Sequence, residues 1–383
     1  MRILLDYRPA LRERTGVGEY AHELAAALAR LLEPPDELTL FSSSWKDRLD
    51  PSRTPSARLV DARVPVRVLN AAWHRLSWPP VERFAGAIDV AHSMHPLLMP
   101  SRRAARIVTV HDLDFLDHPE RTRAEIRRDY AALAPAHAVR ADAVIAVSRF
   151  TAREVERRLG VPRERIVIAS PGAPAWTPRR EPAPRGPILF VGTLEPRKNV
   201  GTLFAAYEEL LKKMPAAPDL WLAGRATESV GHWLQQAIAT PPLAGRVKHL
   251  GYIAGDRRYD LYAGASMLVL PSYLEGFGMP ALEAMTVGVP VIVSNRGALP
   301  EVTEGAAQIV EAEDAVGFAD AMRRYLDDTG GAASTAIRQG LARARNYSWE
   351  ASARTLITVY IDVLRRRPER EGGSGGAKPP GRS

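Results

Sequence analysis

Short aliphatic and β-branched runs alternate with longer segments of helical spacing along almost the whole chain. No other feature constrains the fold as tightly. RILLD, ELTLF, IDVAH, RIVTVHD, DAVIAVS and RIVIAS punctuate the first half, with helix-period segments such as GEYAHELAAALARLL and RFTAREVERRLG between them. After residue 185 the pattern restarts with PILFVG, DLWLAG, RVKHLG, SMLVLP, VPVIVS and AAQIV. A strand that is apolar along its whole length is buried on both faces, which requires a parallel sheet between helical layers. The two series are separated by PGAPAWTPRREPAPRGP, residues 171 to 187, whose six prolines suit a semi-rigid linker. At 383 residues the chain is also too long for one ordinary core. The expectation is an α/β protein with two doubly wound parallel-sheet domains, over 1–178 and 186–346. Such sheets bind ligands at the carboxyl ends of their strands, so the cleft between the domains is the expected site. A final helix over 347–366 has the apolar spacing to pack back towards the first domain, and the Gly- and Pro-rich 367–383 should be disordered.

Composition narrows the function class. The chain has no cysteine, which removes disulfide frameworks and thiolate metal sites. No apolar run approaches the roughly 20 residues of a membrane span, and the opening MRILLDYRP turns polar too soon for a secretory leader. The formal charge is +8, but the last 19 residues hold six Arg or Lys against two Glu, so half of the charge sits in the tail. That is weak support for a nucleic-acid partner, and none is expected. A basic face meeting anionic lipid or a phosphorylated substrate fits better. The expected setting is the cytoplasm, with any membrane contact peripheral and on the inner face of the plasma membrane.

One segment breaks the apolar pattern. PSYLEGFGMPALEAMTVGVPVIVSN, residues 271 to 295, carries Glu275 and Glu283 with seven mostly small or apolar residues between them. It parses as a strand ending near Pro271, a loop SYLEGFG, and a helix starting around Met279 or Pro280, where the missing proline N–H costs nothing. Gly276 and Gly278 let backbone approach a ligand closely. The amides of Phe277, Gly278 and Met279 then stand at a helix N-terminus, which favours phosphate. Glu283 lies about one turn into the helix and points back to the same place. Two carboxylates would repel a phosphate, so they make better sense as acceptors for hydroxyls. The implied ligand has phosphate in the middle and hydroxyl-rich groups at either side, as a nucleotide sugar does. A bare E-x7-E is more often a helix cap and a solvated acid, but the glycine turn and the proline make this one specific.

On these residues the chain resembles the retaining glycosyltransferases of family 4 (glycosyl transferases group 1), whose GT-B architecture sets two Rossmann-like domains face to face. The resemblance covers residues 1 to about 366 and is strongest over 187–302. It implies that Glu275 contacts the donor sugar and Glu283 the ribose. The backbone of Gly276, Phe277, Gly278 and Met279 would hold the diphosphate. The following SNRGALPEV would close the pocket behind it through Gly297 and Glu301.

Other segments join the constellation. In FVGTLEPRKNV, residues 190 to 200, Arg197 and Lys198 occupy the turn before a helix that begins near Asn199. Two cations there suit a pyrophosphate, although basic residues on such turns are commonly only solvated. The family shows a glycine-arginine pair after this strand and a lysine five residues on. Gly192 and Lys198 match, Thr193 stands where the arginine is expected, and Arg197 is the candidate for the missing charge. In TVHDLDFLDHPE, His111 resembles the histidine that lines the sugar pocket by position and electrostatics. A metal on His111, Asp112, Asp114 and His118 is disfavoured, since their spacing fits no helix face and the architecture needs no metal. Ser148, in VSRFTAREV, either caps a helix or touches the cleft. RTGVGEY places Gly16 and Gly18 where acceptor or donor phosphate would approach the first helix. In residues 63 to 84, Trp73 and Trp78 accompany Arg67, Arg75 and Arg83. That mixture suits a membrane interface or a lipid-linked acceptor, and equally a surface helix with its tryptophans turned inward.

The activity implied is transfer of a hexose from a nucleoside diphosphate sugar to a hydroxyl of a glycan or polyprenyl-linked acceptor. Retention of anomeric configuration comes from the resemblance, and no metal or other cofactor is expected. GTLEPRKN and HDLDF look like the mannosyltransferase branch, which favours mannose and GDP-mannose. A nicotinamide oxidoreductase would need G-x-G-x-x-G after a strand, with an acidic residue ~20 positions later, and neither βα turn provides it. A sugar-nucleotide epimerase of the same architecture, or a non-catalytic nucleotide-sugar-binding protein, remains the alternative.

Overall fold

A computed structural model of the protein describes residues 1–11, 14, 16–121 and 124–367. Thr15 of the RTGVGEY turn and all of the predicted disordered tail except Arg367 lie outside the described residues.

Each series of strands forms its own all-parallel sheet. The first contains β1 (Arg2–Asp6), β2 (Glu37–Ser42), β3 (Arg58–Asp61), β4 (Val90–Ser93), β5 (Ala105–Val110), β6 (Ala143–Ala146) and β7 (Ile166–Ile168), in the order β3-β2-β1-β4-β5-β6-β7. The second contains β8 (Ile188–Val191), β9 (Leu220–Ala223), β10 (Val247–Gly251), β11 (Met267–Leu270), β12 (Val291–Ser294) and β13 (Ala307–Val310), in the order β10-β9-β8-β11-β12-β13. Twelve of these strands coincide with the apolar runs of the sequence. The exception is β3, an edge strand whose residues are half-buried or exposed and whose sequence RLVD has a charge at each end.

Both sheets double back beside their first strand, which creates a topological switch point between β1 and β4 and another between β8 and β11. Strand alternation fills both faces. Ile3 and Leu5 join Tyr20, Leu24 and Leu28 of the helix Gly16–Leu31, while Leu4 turns to the opposite layer with Phe41, Leu69 and Trp73. Each fully buried aliphatic side chain contributes roughly 1.5–3 kcal/mol.

The helix Trp349–Arg366 starts at Ser348, whose side chain accepts from the Ala351 amide, and runs along Gly16–Leu31. Tyr360 shares a 2.6 Å hydrogen bond with Nδ1 of His92 on β4, and Trp349 lies edge-on to Tyr20 with centroids 5.7 Å apart. The proline-rich connection is pinned rather than free. The Ala173 amide donates to the Tyr347 carbonyl at 3.1 Å, the Arg179 amide to Val287 at 2.8 Å, and the Arg179 guanidinium to the carbonyls of Gly288 and Ala263.

The tryptophans of 63–84 divide. Trp73, on the helix Val66–Leu76, is 2% exposed, stacks on Phe41 and donates through its indole N–H to the Pro79 carbonyl. Trp78 is 60% exposed and stands with Leu76 and Val68 on the outside. Among the described residues no helix is long and apolar enough to cross a membrane.

Candidate active site

The segment after β11 folds as its residues dictate. Gly278 takes φ +100°, a left-handed conformation open to glycine, and turns the chain into the helix Met279–Val287 with Pro280 in its first turn. At this start the amides of Phe277, Gly278 and Met279 have no acceptor among the described residues. They leave a set of aligned donors at the positive end of a helix. Gly276 abuts the other domain so closely that a Cβ would lie 1.7 Å from the His111 carbonyl oxygen.

Glu275 is buried at the entrance to this turn. Its Oε1 accepts from Lys198 Nζ at 2.6 Å and from Ser272 Oγ at 2.8 Å, and Arg197 stands 3.9 Å from Oε2. Burial alone would raise the carboxyl, but Lys198 and Arg197 more than offset it and hold Glu275 below its ordinary value. Lys198 ends a single 3-10 turn, Pro196–Lys198, that follows β8, and Asn199 leads into the helix Val200–Lys213. Arg197 donates to Glu195 at 2.6 Å and to the Leu274 carbonyl at 3.2 Å, and it lies 3.6 Å from Asp112 of the first domain. The two cations expected to face a pyrophosphate thus also neutralise Glu275. Gly192 and Thr193 line the same turn half-buried, with the Gly192 amide donating to the Ala223 carbonyl. Behind it, the turn at Gly297 brings the Ala298 amide to the Glu275 carbonyl at 2.9 Å.

Glu283 is buried on the same helix. Its Oε2 accepts from the Tyr262 hydroxyl at 2.7 Å and its Oε1 lies 3.2 Å from Arg258. Burial raises this carboxyl above its ordinary value against the pull of Arg258. Arg258 also donates to Glu19 on the helix Gly16–Leu31, so it ties Glu283 across the cleft to the helix that carries Gly16 and Gly18. Gly16 is exposed at the start of that helix, and Gly18 packs on the Pro9 carbonyl. Sequence reading missed Arg258 and Tyr262, although their four-residue spacing on the helix Gly255–Ala263 places both on one face.

The first domain contributes His111, half-buried and edge-on to Tyr20 at 5.0 Å. Its Nε2 lies 3.2 Å from the Met94 carbonyl, and withdrawal from water pushes the imidazole down to about 4. The ring is therefore neutral at pH 7, with Nε2–H spent on the carbonyl and Nδ1 left as an acceptor. Asp112 faces Arg197, His118 pairs with Glu120, and no group of three or more candidate ligands occurs among the described residues. Ser148 is fully buried where the two domains meet. It caps the helix Arg149–Leu159 by accepting from the Thr151 amide, and its Oγ donates to the Gly276 carbonyl at 2.7 Å. Glu301 bridges the two domains. Its two oxygens accept from the Arg149 and Phe150 amides at 2.8 and 2.9 Å, capping that helix from the other domain.

Residues 185–328 match the family model described as glycosyl transferases group 1, and residues 14–175 match glycosyltransferase family 4. The chain is 30% identical over 386 residues to the O-antigen chain mannosyltransferase B of Escherichia coli, covering 94% of this chain and 99% of that one. Among solved structures it superposes on sucrose-phosphate synthase from Thermosynechococcus elongatus with TM-score 0.71 at 21% identity, covering 96% of this chain and 100% of that one. It superposes equally on Anabaena HepE in complex with UDP and glucose, with TM-score 0.71 at 18% identity and coverage of 94% and 100%.

Proposed function

The chain is a glycosyltransferase of family 4 with the GT-B fold, and from that membership we propose that it moves a hexose, with mannose favoured, from a nucleoside diphosphate sugar to a hydroxyl of a glycan or lipid-linked acceptor, with retention. The observation that carries the reading is the convergence on one cleft of Glu275, buried and ionised between Lys198 and Arg197, with the open amides of Phe277, Gly278 and Met279. A sugar diphosphate fits this set. The amides and the two cations take the diphosphate, Glu275 and the Nδ1 of His111 accept from sugar hydroxyls, and Glu283 accepts from the ribose. Mannose is favoured because the E. coli relative is a mannosyltransferase, and a nucleotide donor because HepE was solved with UDP and glucose.

In the proposed step the bond from the anomeric carbon to the diphosphate oxygen breaks as the acceptor oxygen bonds to that carbon on the same face. The acceptor proton passes to a phosphate oxygen of the leaving diphosphate. Lys198, Arg197 and the helix start stabilise the charge that develops there, so the reaction should survive chelation of divalent ions. Incubation with a panel of nucleoside diphosphate sugars, scored for nucleoside diphosphate release, tests the reading. Release from one or two donors supports it, and silence with every donor sinks it. A peripheral membrane contact rests on Val68, Leu76 and Trp78, exposed beside Arg67 and Arg75. Failure to co-sediment with anionic liposomes would remove it.

A further inference from the structure

The first domain has its own switch point, between the carboxyl ends of β1 and β4, and a polar cluster fills it that the donor reading does not use. Asp6, the last residue of β1, is fully buried. Its carboxylate accepts from Arg8 Nε at 2.8 Å and Nη2 at 2.7 Å, and it faces His95 Nε2 at 3.1 Å. The Leu97 amide donates to His95 Nδ1 at 3.2 Å, so the ring proton sits on Nε2 and points at Asp6. Arg8 Nη1 donates to Asn70 Oδ1 at 2.9 Å, and its guanidinium lies 5.0 Å from the Trp73 ring centroid. Tyr130 stacks on His95 with centroids 5.8 Å apart and planes 26° off parallel. The cluster adjoins the transfer site, because His95 follows Met94, whose carbonyl meets His111 Nε2.

Burying an ion pair gains little net stability over an apolar core of the same volume, so a pair kept at a ligand-binding strand end points to recognition. Asp6 cancels the charge of Arg8, so the pair does not attract phosphate. What reaches the surface is the edge of Arg8 (10% exposed) and of His95 (18% exposed), beside the half-buried ring of Tyr130. A fixed guanidinium edge, an imidazole and an aromatic ring together match the hydroxyls and C–H face of a pyranose. We infer that this is the acceptor-sugar subsite, in which a remaining Nη N–H of Arg8 holds a hydroxyl of the acceptor's terminal sugar, the rings of His95 and Tyr130 border its C–H face, and Asp6 is the positioning residue that fixes Arg8 and His95. The inference rests on the transferase reading above and names its second substrate site.

The experiment measures transfer to methyl glycosides of mannose, galactose, glucose and N-acetylglucosamine, for the wild type and for Arg8→Lys, Asp6→Asn and His95→Gln. Arg8→Lys keeps the charge but loses the fork. The acceptor KM should rise about tenfold or more in Arg8→Lys and Asp6→Asn, while the donor KM stays within about twofold. A merely structural role would move both constants, or neither. Should Asp6→Asn fail to fold, Asn70→Ala carries the test, with an acceptor KM raised about threefold. Unchanged acceptor KM values overturn the subsite, as does a wild type that releases nucleoside diphosphate into water yet transfers to none of the glycosides. A wild type that releases nucleoside diphosphate from no donor removes the transferase reading itself, and the subsite with it.

Discussion

Replacing Lys198 with methionine perturbs the centre of the site most sharply. The ammonium lies 2.6 Å from Glu275, and both side chains are 8% exposed. Losing the cation leaves a buried carboxylate whose other charged neighbour, Arg197, is 3.9 Å away and already engaged with Glu195 at 2.6 Å. Breaking a buried pair from one side costs about 3–5 kcal/mol. Ser272 still donates to the same oxygen, so the lower end, about 3 kcal/mol, is expected. The penalty belongs to the stranded charge, so Lys198→Met/Glu275→Gln should recover most of it, with a coupling of about 2 kcal/mol. The sign with pH also inverts. In the wild type the Glu275 carboxyl lies below its ordinary, unfolded value, so its contribution is present above that value and is lost as pH falls through the folded one. In Lys198→Met burial dominates and lifts the folded value above the unfolded one, so the variant gains on the wild type as pH falls. Denaturant unfolding of the four proteins at about pH 7.5 and 5.5, with nucleoside diphosphate release measured alongside, reads both effects. A single variant within about 1 kcal/mol of wild type, or coupling below about 0.5 kcal/mol, would refute the reasoning.

Three further outcomes follow from the same geometry. Gly276→Ala places a methyl 1.7 Å from the His111 carbonyl, so it should force the domains apart locally. It should cost about 1–3 kcal/mol and most of the transfer activity, and an unshifted melting temperature would contradict this. Glu301→Gln removes the charge that caps Arg149 and Phe150 from the other domain, which should cost about 1 kcal/mol and speed amide exchange at the start of that helix. Exchange there as slow as in the wild type counts against the interdomain cap. Finally, burial holds His92 down at about 3 and His111 and His137 at about 4, so their stability is complete above the unfolded value near 6.5 and falls as pH drops from there. By about pH 5.5 each should cost about 1 kcal/mol, and denaturation midpoints that stay flat from pH 7.5 to 5.5 would speak against neutral, buried imidazoles.

The sequence was most legible where one local pattern has one physical outcome. Apolar and β-branched runs marked twelve strands, including the part-exposed edge strands Val247–Gly251 and Ala307–Val310, whereas Arg58–Asp61 escaped because a charge at each end leaves it only two apolar residues. The E-x7-E segment read correctly as strand, glycine turn and helix, because Gly278 and Pro280 fix that geometry locally. Partnerships across the chain were not legible. Arg258 meets Glu19 and Glu283, Glu301 caps a helix of the other domain, and Asp6, Arg8 and His95 assemble from two strand ends. Nothing in the neighbours of these residues distinguishes them from solvated charges, and only the packing of two sheets brings them together. The tryptophans of 63–84 show the same limit, since helical spacing left their direction open until Phe41 supplied a stacking partner for Trp73.

The most direct test is NMR of the product formed from an α-linked nucleoside diphosphate hexose, with the wild type and Glu275→Gln compared side by side. The wild type should yield a new α-glycosidic signal, and the folded variant should yield none on the same timescale. A β-linked product, or a variant as fast as the wild type, would contradict the placement of retaining transfer at Glu275.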